Sequence, residues 1–154
     1  MLNTLIIIMA NYLFLLLPAI GAVWFLRLPR ALQKEVVVIG LLTGALALLL
    51  GRLIAAFYFD PRPFVTGHFA PLIPHDPDNG FPSDHTLLSS AIAMTVTLRD
   101  RRFGLVLWPL ALLVGLARIA CGLHSPTDVI GSFVLAICAG FAADRVARRI
   151  FRRA

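Results

Sequence analysis

The sequence predicts an all-α, polytopic transmembrane helix bundle of about five spans, because its composition is strongly apolar and long apolar segments recur along it. Of the 154 residues, 59% are hydrophobic and only 14% are charged, whereas a soluble domain carries about 25% charged residues. A transmembrane helix needs about 20 consecutive, mostly apolar residues. One membrane domain over residues 1–154 fits this length, and no linker or second domain is apparent.

Each predicted element has a local reason in the sequence. The predicted spans lie at 5–26, 36–58, 83–98, 103–121 and 126–146. Pro18 predicts a kink in the first span, because proline removes a hydrogen bond inside a helix. The third segment is short for a full crossing. Residues 59–82 are polar and rich in proline and glycine, which predicts an outer loop.

The basic residues predict the orientation of these spans. Eleven of the 14 Lys and Arg residues fall in three groups that five spans would place on one side of the membrane. These residues are Arg27, Arg30, Lys34, Arg99, Arg101, Arg102, Arg145, Arg148, Arg149, Arg152 and Arg153. Cytoplasmic segments carry an excess of Lys and Arg, so we expect a multi-pass protein of the inner (cytoplasmic) membrane with its N-terminus outside and its C-terminus in the cytoplasm. The net charge of +6 is then a topology signal, and nucleic-acid binding is not expected.

Three arginines remain outside these groups. Arg52, Arg62 and Arg118 are predicted to lie at or near the outer face, two at helix ends and one inside a span. Charges at such positions are costly, and they usually serve a function. These three are therefore candidate functional residues.

Three polar segments are predicted to meet at the outer face. They are Asp60–Phe64 after the second span, Pro82–His85 at the start of the third, and Arg118–Asp128 between the fourth and fifth. Guanidinium groups bind phosphate oxygens through paired hydrogen bonds. A helix N-terminus adds free N–H groups and a favourable dipole. The segments together therefore predict a phosphate site, although Ser83 and Ser125 with their following acids also fit helix caps.

Histidine can act as a covalent nucleophile toward phosphorus. His124 and Asp128 are four residues apart, so the carboxylate can hold one ring nitrogen as N–H and leave the other free to attack. His85 is then the candidate general acid for the leaving oxygen. Arg62 and Arg118 would stabilise charge on the phosphoryl oxygens. Neither a metal nor another cofactor is expected, since no carboxylate cluster suited to magnesium accompanies these residues.

The order of these motifs resembles the type-2 phosphatidic acid phosphatase superfamily. The pattern runs through Arg62-Pro63, then Pro82-Ser83-Asp84-His85, then Arg118, His124 and Asp128. The aspartate in Pro-Ser-Asp-His and the phenylalanine after Arg-Pro resemble the bacitracin-resistance branch, whose members are undecaprenyl-pyrophosphate phosphatases. The resemblance implies His124 as nucleophile, Asp128 as its partner and His85 as acid. The implied phosphate-binding residues are Arg62, Ser83 and Arg118, to which we add Asp84 and Arg52.

Two positions depart from the family pattern. Ala55 stands where the first motif usually has a basic residue, and Arg52 lies one helical turn deeper on nearly the same face. Arg52 either replaces the missing cation or extends its charged end to the interface. Ala117 stands where the third motif commonly has serine.

The loop contains further polar groups with weaker indications. His75, Asp76 and Asp78 are interpreted as solvated loop residues, whereas His68 is retained as a candidate near Arg62. The expected activity is hydrolysis of undecaprenyl pyrophosphate to the monophosphate through a phosphohistidine, in cell-wall biogenesis and antibiotic resistance. The alternative substrates are phosphatidylglycerophosphate, phosphatidate or a lipid A phosphate. A membrane protein that binds an anion or lipid without catalysis is a more distant alternative.

Overall fold

The computed structural model describes residues 1–151, which form seven α-helices. They are α1 (Leu2–Tyr12), α2 (Leu16–Leu26), α3 (Arg30–Ala55), α4 (Pro63–Thr66), α5 (Asp84–Thr97), α6 (Arg101–Ala120) and α7 (Pro126–Phe151). Two members of the predicted cytoplasmic group, Arg152 and Arg153, lie outside the described residues. The helical bundle agrees with the predicted class. Compared with the predicted spans, α3 begins six residues earlier and ends three residues earlier, α6 begins two residues earlier, and α7 ends five residues later.

Four helical stretches are long and apolar enough to cross a membrane. They are Leu2–Leu26, Arg30–Ala55, Arg101–Ala120 and Pro126–Phe151, with mean hydropathies between 1.7 and 2.3. Many large apolar side chains on their outer faces are exposed, among them Leu41 at 70% and Leu105 at 60%. An outer surface of this kind suits lipid rather than water.

The first stretch is broken just before Pro18. A 3₁₀ turn at Leu13–Leu15 separates α1 from α2. Pro18 lacks the N–H that would bond to the carbonyl of Phe14, and its ring crowds that carbonyl. The predicted kink is therefore present, one turn ahead of the proline. The break places the Phe14 ring edge-on against His85, with ring centroids 4.5 Å apart.

The central helix of the bundle is α5. It has 14 residues, so it is about 21 Å long at 1.5 Å per residue, shorter than the hydrocarbon thickness of about 30 Å. Nine of its residues are buried, and it packs against α2, α3, α6 and α7. The third predicted span is thus an inner helix, enclosed by the longer ones, that still connects the two ends of the bundle.

One end of the bundle is held by an ionic cluster. Arg99, just after α5, lies 2.6 Å from Glu35 at the start of α3 and 2.8 Å from Asp144 near the end of α7. Asp144 also contacts Arg148 at 2.8 Å. Trp24 donates its indole N–H to Asp100 at 3.2 Å. These contacts therefore gather the ends of five helices, and the predicted cytoplasmic arginines lie beside them.

Small residues allow the inner helices to approach closely. A Cβ added to Gly140 on α7 would lie 2.4 Å from Met94 on α5, and one added to Gly115 on α6 would lie 2.6 Å from Val129 on α7. Small residues at such contacts are typical of membrane helix bundles, where packing drives association. This packing fixes the positions of α5, α6 and α7 at the other end, where the polar segments meet.

Candidate active site

A polar cavity of about 260 Å³ opens at the end of the bundle opposite the ionic cluster. It lies where α3 and α6 end and where α5 begins. Its lining includes three arginines and three histidines. The lining residues are Arg52, Ala55, Arg62, His75, Asp78, Asn79, Phe81, Pro82, Asp84, His85, Arg118 and His124. The structure therefore brings six of the eight predicted site residues to the wall of this cavity, whereas Ser83 and Asp128 do not line it.

His124 lies on the short connection between α6 and α7. The chain leaves α6 through Gly122, whose φ of +77° belongs to the left-handed region that favours glycine. A Cβ at Gly122 would also lie 2.5 Å from the ring of Phe69. This tight turn directs His124 inward, where it is 4% exposed.

The two ring nitrogens of His124 have different surroundings. Nδ1 lies 2.9 Å from the carbonyl oxygen of Gly80 and 3.5 Å from Oδ2 of Asp128. Both neighbours are acceptors, so Nδ1 carries the hydrogen and Nε2 carries the free lone pair. Nε2 lies 3.5 Å from Nη1 of Arg62. The sequence predicted a carboxylate partner for the ring, and the closer acceptor is instead a main-chain carbonyl.

Burial lowers the pKa of His124 below its ordinary value of 6.5, and the charges of Arg118 and Arg62 lower it further against the opposing effect of Asp128. A lower pKa keeps the imidazole neutral at physiological pH. A neutral imidazole with Nδ1 protonated and Nε2 unprotonated is the form that can attack phosphorus.

Arg62 is fixed at the floor of the cavity, at 5% exposure. Its Nε donates to Asp78 at 2.6 Å and its Nη1 donates to the carbonyl of Leu123 at 2.9 Å. The Arg62 guanidinium lowers the pKa of Asp78 below its ordinary value. The loop after α3 and the connection after α6 are therefore joined through one side chain.

Arg118, in the last turn of α6, is the second buried guanidinium. It is 5% exposed, and its Nε has no hydrogen-bond partner among residues 1–151. A buried charge without a partner is costly. The cavity beside Arg118 is therefore suited to an anion that would supply the missing acceptors.

His85 and Ser83 occupy the N-terminus of α5. The His85 ring lines the cavity in the first turn of the helix. Ser83 is fully buried, and its hydroxyl accepts a hydrogen bond from Thr86 at 3.0 Å. Its carbonyl accepts from Ser132 at 3.1 Å. Ser83 thus joins α5 to α7, and its hydroxyl hydrogen remains available for donation.

Arg52 and Asp84 form the rim. Nη2 of Arg52 lies 3.6 Å from Oδ2 of Asp84, and both side chains are mostly exposed. Arg52 and Ala55 line the same cavity, so the arginine extends into the space that a basic residue at position 55 would face. Asp84 contacts this arginine and lines the cavity, and its role in phosphate binding stays a prediction.

Several loop residues contribute in ways that the sequence did not indicate. His75 and Asp78, interpreted as solvated, line the cavity, and His75 lies 3.6 Å from Asp78. His68 and Asp76 do not line it. Asn79 fastens the loop, since its side chain accepts from the main-chain N–H of Asp60 and donates to the carbonyl of Tyr58. The Asn79-Gly80 pair is a turn signal, but the contact of the Gly80 carbonyl with His124 depends on tertiary packing.

The chain matches a family model and two bacterial relatives. The model is that of the PAP2 superfamily, over residues 35–152. The chain is 43% identical over 123 residues to undecaprenyl-diphosphatase BcrC of Bacillus subtilis (strain 168), covering 78% of this chain and 61% of that protein. It is 32% identical over 140 residues to the bacitracin transport permease protein BcrC of Bacillus licheniformis, covering 89% and 68%. The chain therefore spans less than two thirds of the length of the first relative.

Two solved structures share the fold. The crystal structure of Aquifex aeolicus LpxE superposes with a TM-score of 0.75 at 24% identity, over 94% of this chain and 86% of that one. The first transmembrane PAP2 type phosphatidylglycerolphosphate phosphatase from Bacillus subtilis superposes with a TM-score of 0.68 at 25% identity, over 97% of this chain and 78% of that one.

The predicted helical membrane bundle and the predicted resemblance to the bacitracin-resistance branch are both confirmed. With the family model matched over most of its length and two relatives above 30% identity, this multi-pass membrane chain belongs to the PAP2 superfamily.

Proposed function

We propose that this chain is an integral-membrane phosphatase that hydrolyses undecaprenyl pyrophosphate to the monophosphate through a phosphohistidine. One observation carries the proposal: the buried His124 has its Nδ1 bound by the Gly80 carbonyl and its unprotonated Nε2 at 3.5 Å from Nη1 of Arg62, from which it accepts a long hydrogen bond. The second buried guanidinium, Arg118, has an unpartnered Nε at the same cavity. A nucleophile and two phosphate-binding groups are thus assembled in one place.

The chemistry follows from these positions. Nε2 of His124 attacks the terminal phosphorus, an N–P bond forms, and the bond from phosphorus to the bridging oxygen breaks. His85 gives a proton to the departing oxygen of the lipid monophosphate. A water molecule, deprotonated by His85, then attacks the phosphohistidine, and the N–P bond breaks to release inorganic phosphate. Arg62 and Arg118 stabilise the charge on the phosphoryl oxygens in both steps.

An apolar groove supports a lipid substrate. A space of about 390 Å³ lies between α2 and α3 over the face of α5 and is almost entirely apolar. It reaches from Pro18 and Leu88 to Phe25 and Val96. Pro18 and Leu88 each lie one helical turn from the Phe14–His85 contact at the cavity. A hydrocarbon chain in this groove would therefore place its headgroup near His85.

The substrate is inferred from the relatives. The name of the relative with 43% identity is undecaprenyl-diphosphatase, and the second relative is named for bacitracin transport. A role in cell-wall lipid recycling and in resistance to bacitracin follows for this chain if it acts on the same lipid. Phosphatidylglycerophosphate is the second candidate substrate, because a phosphatidylglycerolphosphate phosphatase has the same fold at 25% identity.

We also propose that the cavity faces the periplasmic or extracellular side of the cytoplasmic membrane. The described basic residues of the predicted cytoplasmic group lie at the opposite end, by the Glu35–Arg99–Asp144 cluster. An excess of Lys and Arg favours the cytoplasmic side. The test is a membrane-impermeant thiol reagent applied to intact cells, with a cysteine introduced at exposed Asp76 in a variant whose free Cys121 and Cys138 are replaced by alanine. Labelling supports the orientation, and protection from label contradicts it.

The activity is tested with purified protein in detergent. Undecaprenyl pyrophosphate, phosphatidylglycerophosphate and phosphatidate are supplied in competition, and inorganic phosphate is measured with and without chelator. We expect release from undecaprenyl pyrophosphate to dominate, to persist in chelator and to be lost in the His124→Ala and His85→Ala variants. Phosphate release that survives His124→Ala would contradict the phosphohistidine, and binding of the lipid without turnover would favour a non-catalytic protein.

A further inference from the structure

Asp60 lies behind the cavity, at the point where the loop after α3 meets the start of α7. Its carboxylate accepts a hydrogen bond from the Ser125 hydroxyl at 3.2 Å. The same hydroxyl oxygen accepts a hydrogen bond from the main-chain N–H of Asp128 at 3.2 Å, and the Ser125 N–H donates to Oδ2 of Asp128 at 2.7 Å. Asp60 is therefore joined to the cap that opens α7 and follows His124 in the chain.

Ser125 joins the carboxyl groups of Asp60 and Asp128, since its hydroxyl donates to Oδ2 of Asp60 at 3.2 Å and its main-chain N–H donates to Oδ2 of Asp128 at 2.7 Å. Asp128 is 1% exposed, and its Oδ1 has no hydrogen-bond partner among residues 1–151. An unpaired buried carboxylate oxygen is costly, and two adjacent carboxylates do not both ionise readily. A proton on Asp60 removes both costs, because the carboxyl O–H can donate to Oδ1 of Asp128.

The main chain of Asp60 is also connected to His124. Its carbonyl accepts from the Gly80 N–H at 2.8 Å, and the Gly80 carbonyl is the acceptor for Nδ1 of His124. Its own N–H donates to the Asn79 side chain at 3.0 Å. Asp60 is thus linked to both supports of the imidazole, to Gly80 through the Gly80 N–H and to Asp128 through Ser125.

We propose that Asp60 is a positioning residue for His124, whose protonated carboxyl donates a hydrogen bond to Oδ1 of Asp128 and so fixes the connection that carries the imidazole. The proposal rests on the proposed function of His124 as nucleophile. Asp60 does not line the cavity and acts only through its neighbours. The groups that face it are the Asp128 carboxylate and the hydroxyls of Ser125 and Thr127. Burial and the Asp128 charge both raise the pKa of Asp60, in agreement with a retained proton.

Two substitutions separate this role from a merely structural one. In Asp60→Asn the amide N–H₂ can donate to Asp128 while the amide oxygen accepts from Ser125, so both bonds persist with no proton to lose. In Asp60→Ala both bonds are lost. We expect kcat to remain close to wild type in Asp60→Asn and to fall about tenfold in Asp60→Ala, the effect of one lost buried hydrogen bond to a charged group, with KM unchanged in both.

The pH profile provides the decisive readout. In wild type, kcat should decline as pH rises through the raised pKa of Asp60, because the second carboxylate then repels Asp128. That decline should be absent in Asp60→Asn. Any change of kcat with pH that comes from His85 or His124 should be the same in both proteins. The exposed loop acid Asp76, substituted as Asp76→Asn, is the matched control and should leave kcat and the profile unchanged.

Three results would overturn the proposal: a wild-type kcat in Asp60→Ala, an Asp60→Asn variant as slow as Asp60→Ala, or a profile of Asp60→Asn that superimposes on wild type. If Asp60→Ala does not fold, Asp60→Leu replaces it in the first two comparisons, and the pH profile is read from Asp60→Asn and wild type alone. The His124→Ala variant is assayed in parallel. Full turnover in His124→Ala would reject the proposed function, whereas loss of turnover there leaves the Asp60 results as a test of positioning alone.

Discussion

Nδ1 of His124 lies 2.9 Å from the carbonyl oxygen of Gly80, closer than the 3.5 Å that separates it from Oδ2 of Asp128. A main-chain carbonyl cannot be removed by substitution of a side chain. The tautomer of the imidazole therefore has a support that does not depend on the acid. The contribution of Asp128 to turnover should therefore be smaller than that of His124.

We predict that Asp128→Ala is less damaging than His124→Ala. Loss of the acid should lower kcat by about 10- to 100-fold, by analogy with the loss of a partner that orients a metal-bound histidine, because Gly80 still holds Nδ1. His124→Ala should reduce turnover to background, since the attacking atom is gone. Steady-state kinetics with undecaprenyl pyrophosphate measures both. An Asp128→Ala variant as inactive as His124→Ala would mean that the carbonyl alone does not hold the ring.

Asp78 is predicted to compete with the substrate for Arg62. Its carboxylate lies 2.6 Å from Nε of Arg62 and faces the cavity, where it repels an incoming phosphate. Asp78→Asn should therefore strengthen inhibition by inorganic phosphate or vanadate about two- to fivefold, as expected for removal of one largely exposed charge. Asp76→Asn, which alters a neighbouring acid outside the cavity, is the control. Weaker inhibition in Asp78→Asn would indicate that the acid positions Arg62 instead.

The Arg62–Asp78 contact also predicts that the effect of Asp78 on inhibition by vanadate does not change with pH in the neutral range. Arg62 lowers the pKa of Asp78 from its ordinary value of 3.8. A carboxylate with a lowered pKa contributes its stabilising contact above the unfolded pKa and loses it only as pH falls through the folded pKa. Inhibition by vanadate should therefore show no inflection from Asp78 in the neutral range, so that wild type and Asp78→Asn differ by a constant factor there. A difference that changes with pH between 5 and 9 would contradict this assignment.

The helical elements could be predicted from the sequence because hydrophobic length and the distribution of arginine are properties of the chain itself. The same holds for Arg62, His85, Arg118 and His124, which stand at helix ends that the topology brings together. The loop could not be predicted in this way. The contact of Gly80 with His124 and that of Asp78 with Arg62 join residues 44 and 16 positions apart, and no periodicity encodes them. The ion pairs of Glu35 and Asp144 with Arg99 at the other end of the bundle were likewise not predicted, because the sequence pattern at that end is dominated by its basic residues.

Arg52 is predicted to supply the cation that the family motif lacks at Ala55. Both residues line the cavity, and Arg52 is held there by Asp84 at 3.6 Å. Arg52→Ala should raise KM for the pyrophosphate substrate about three- to tenfold, in keeping with one partly solvated ionic contact. The double substitution Arg52→Ala with Ala55→Lys should restore much of the loss, since the new ammonium group occupies the position that the family uses. An Arg52→Ala variant with wild-type KM and kcat would show that the arginine only extends to the interface.

The groove between α2 and α3 is predicted to hold the hydrocarbon chain, and Gly44 allows this to be tested without disturbing the helices. A Cβ added to Gly44 meets no atom within 4 Å, so a large side chain there fills the groove and not the packed interior. Gly44→Trp should raise KM for undecaprenyl pyrophosphate about tenfold, the loss of roughly 1.4 kcal/mol of apolar contact, and should leave hydrolysis of the much shorter farnesyl pyrophosphate nearly unchanged. Leu41→Trp, on the exposed face of α3 and outside the groove, is the matched control for the added indole. Equal losses for the long and the short substrate would place the chain elsewhere, because an obstruction in the groove can discriminate only between substrates that differ in how far they extend along it.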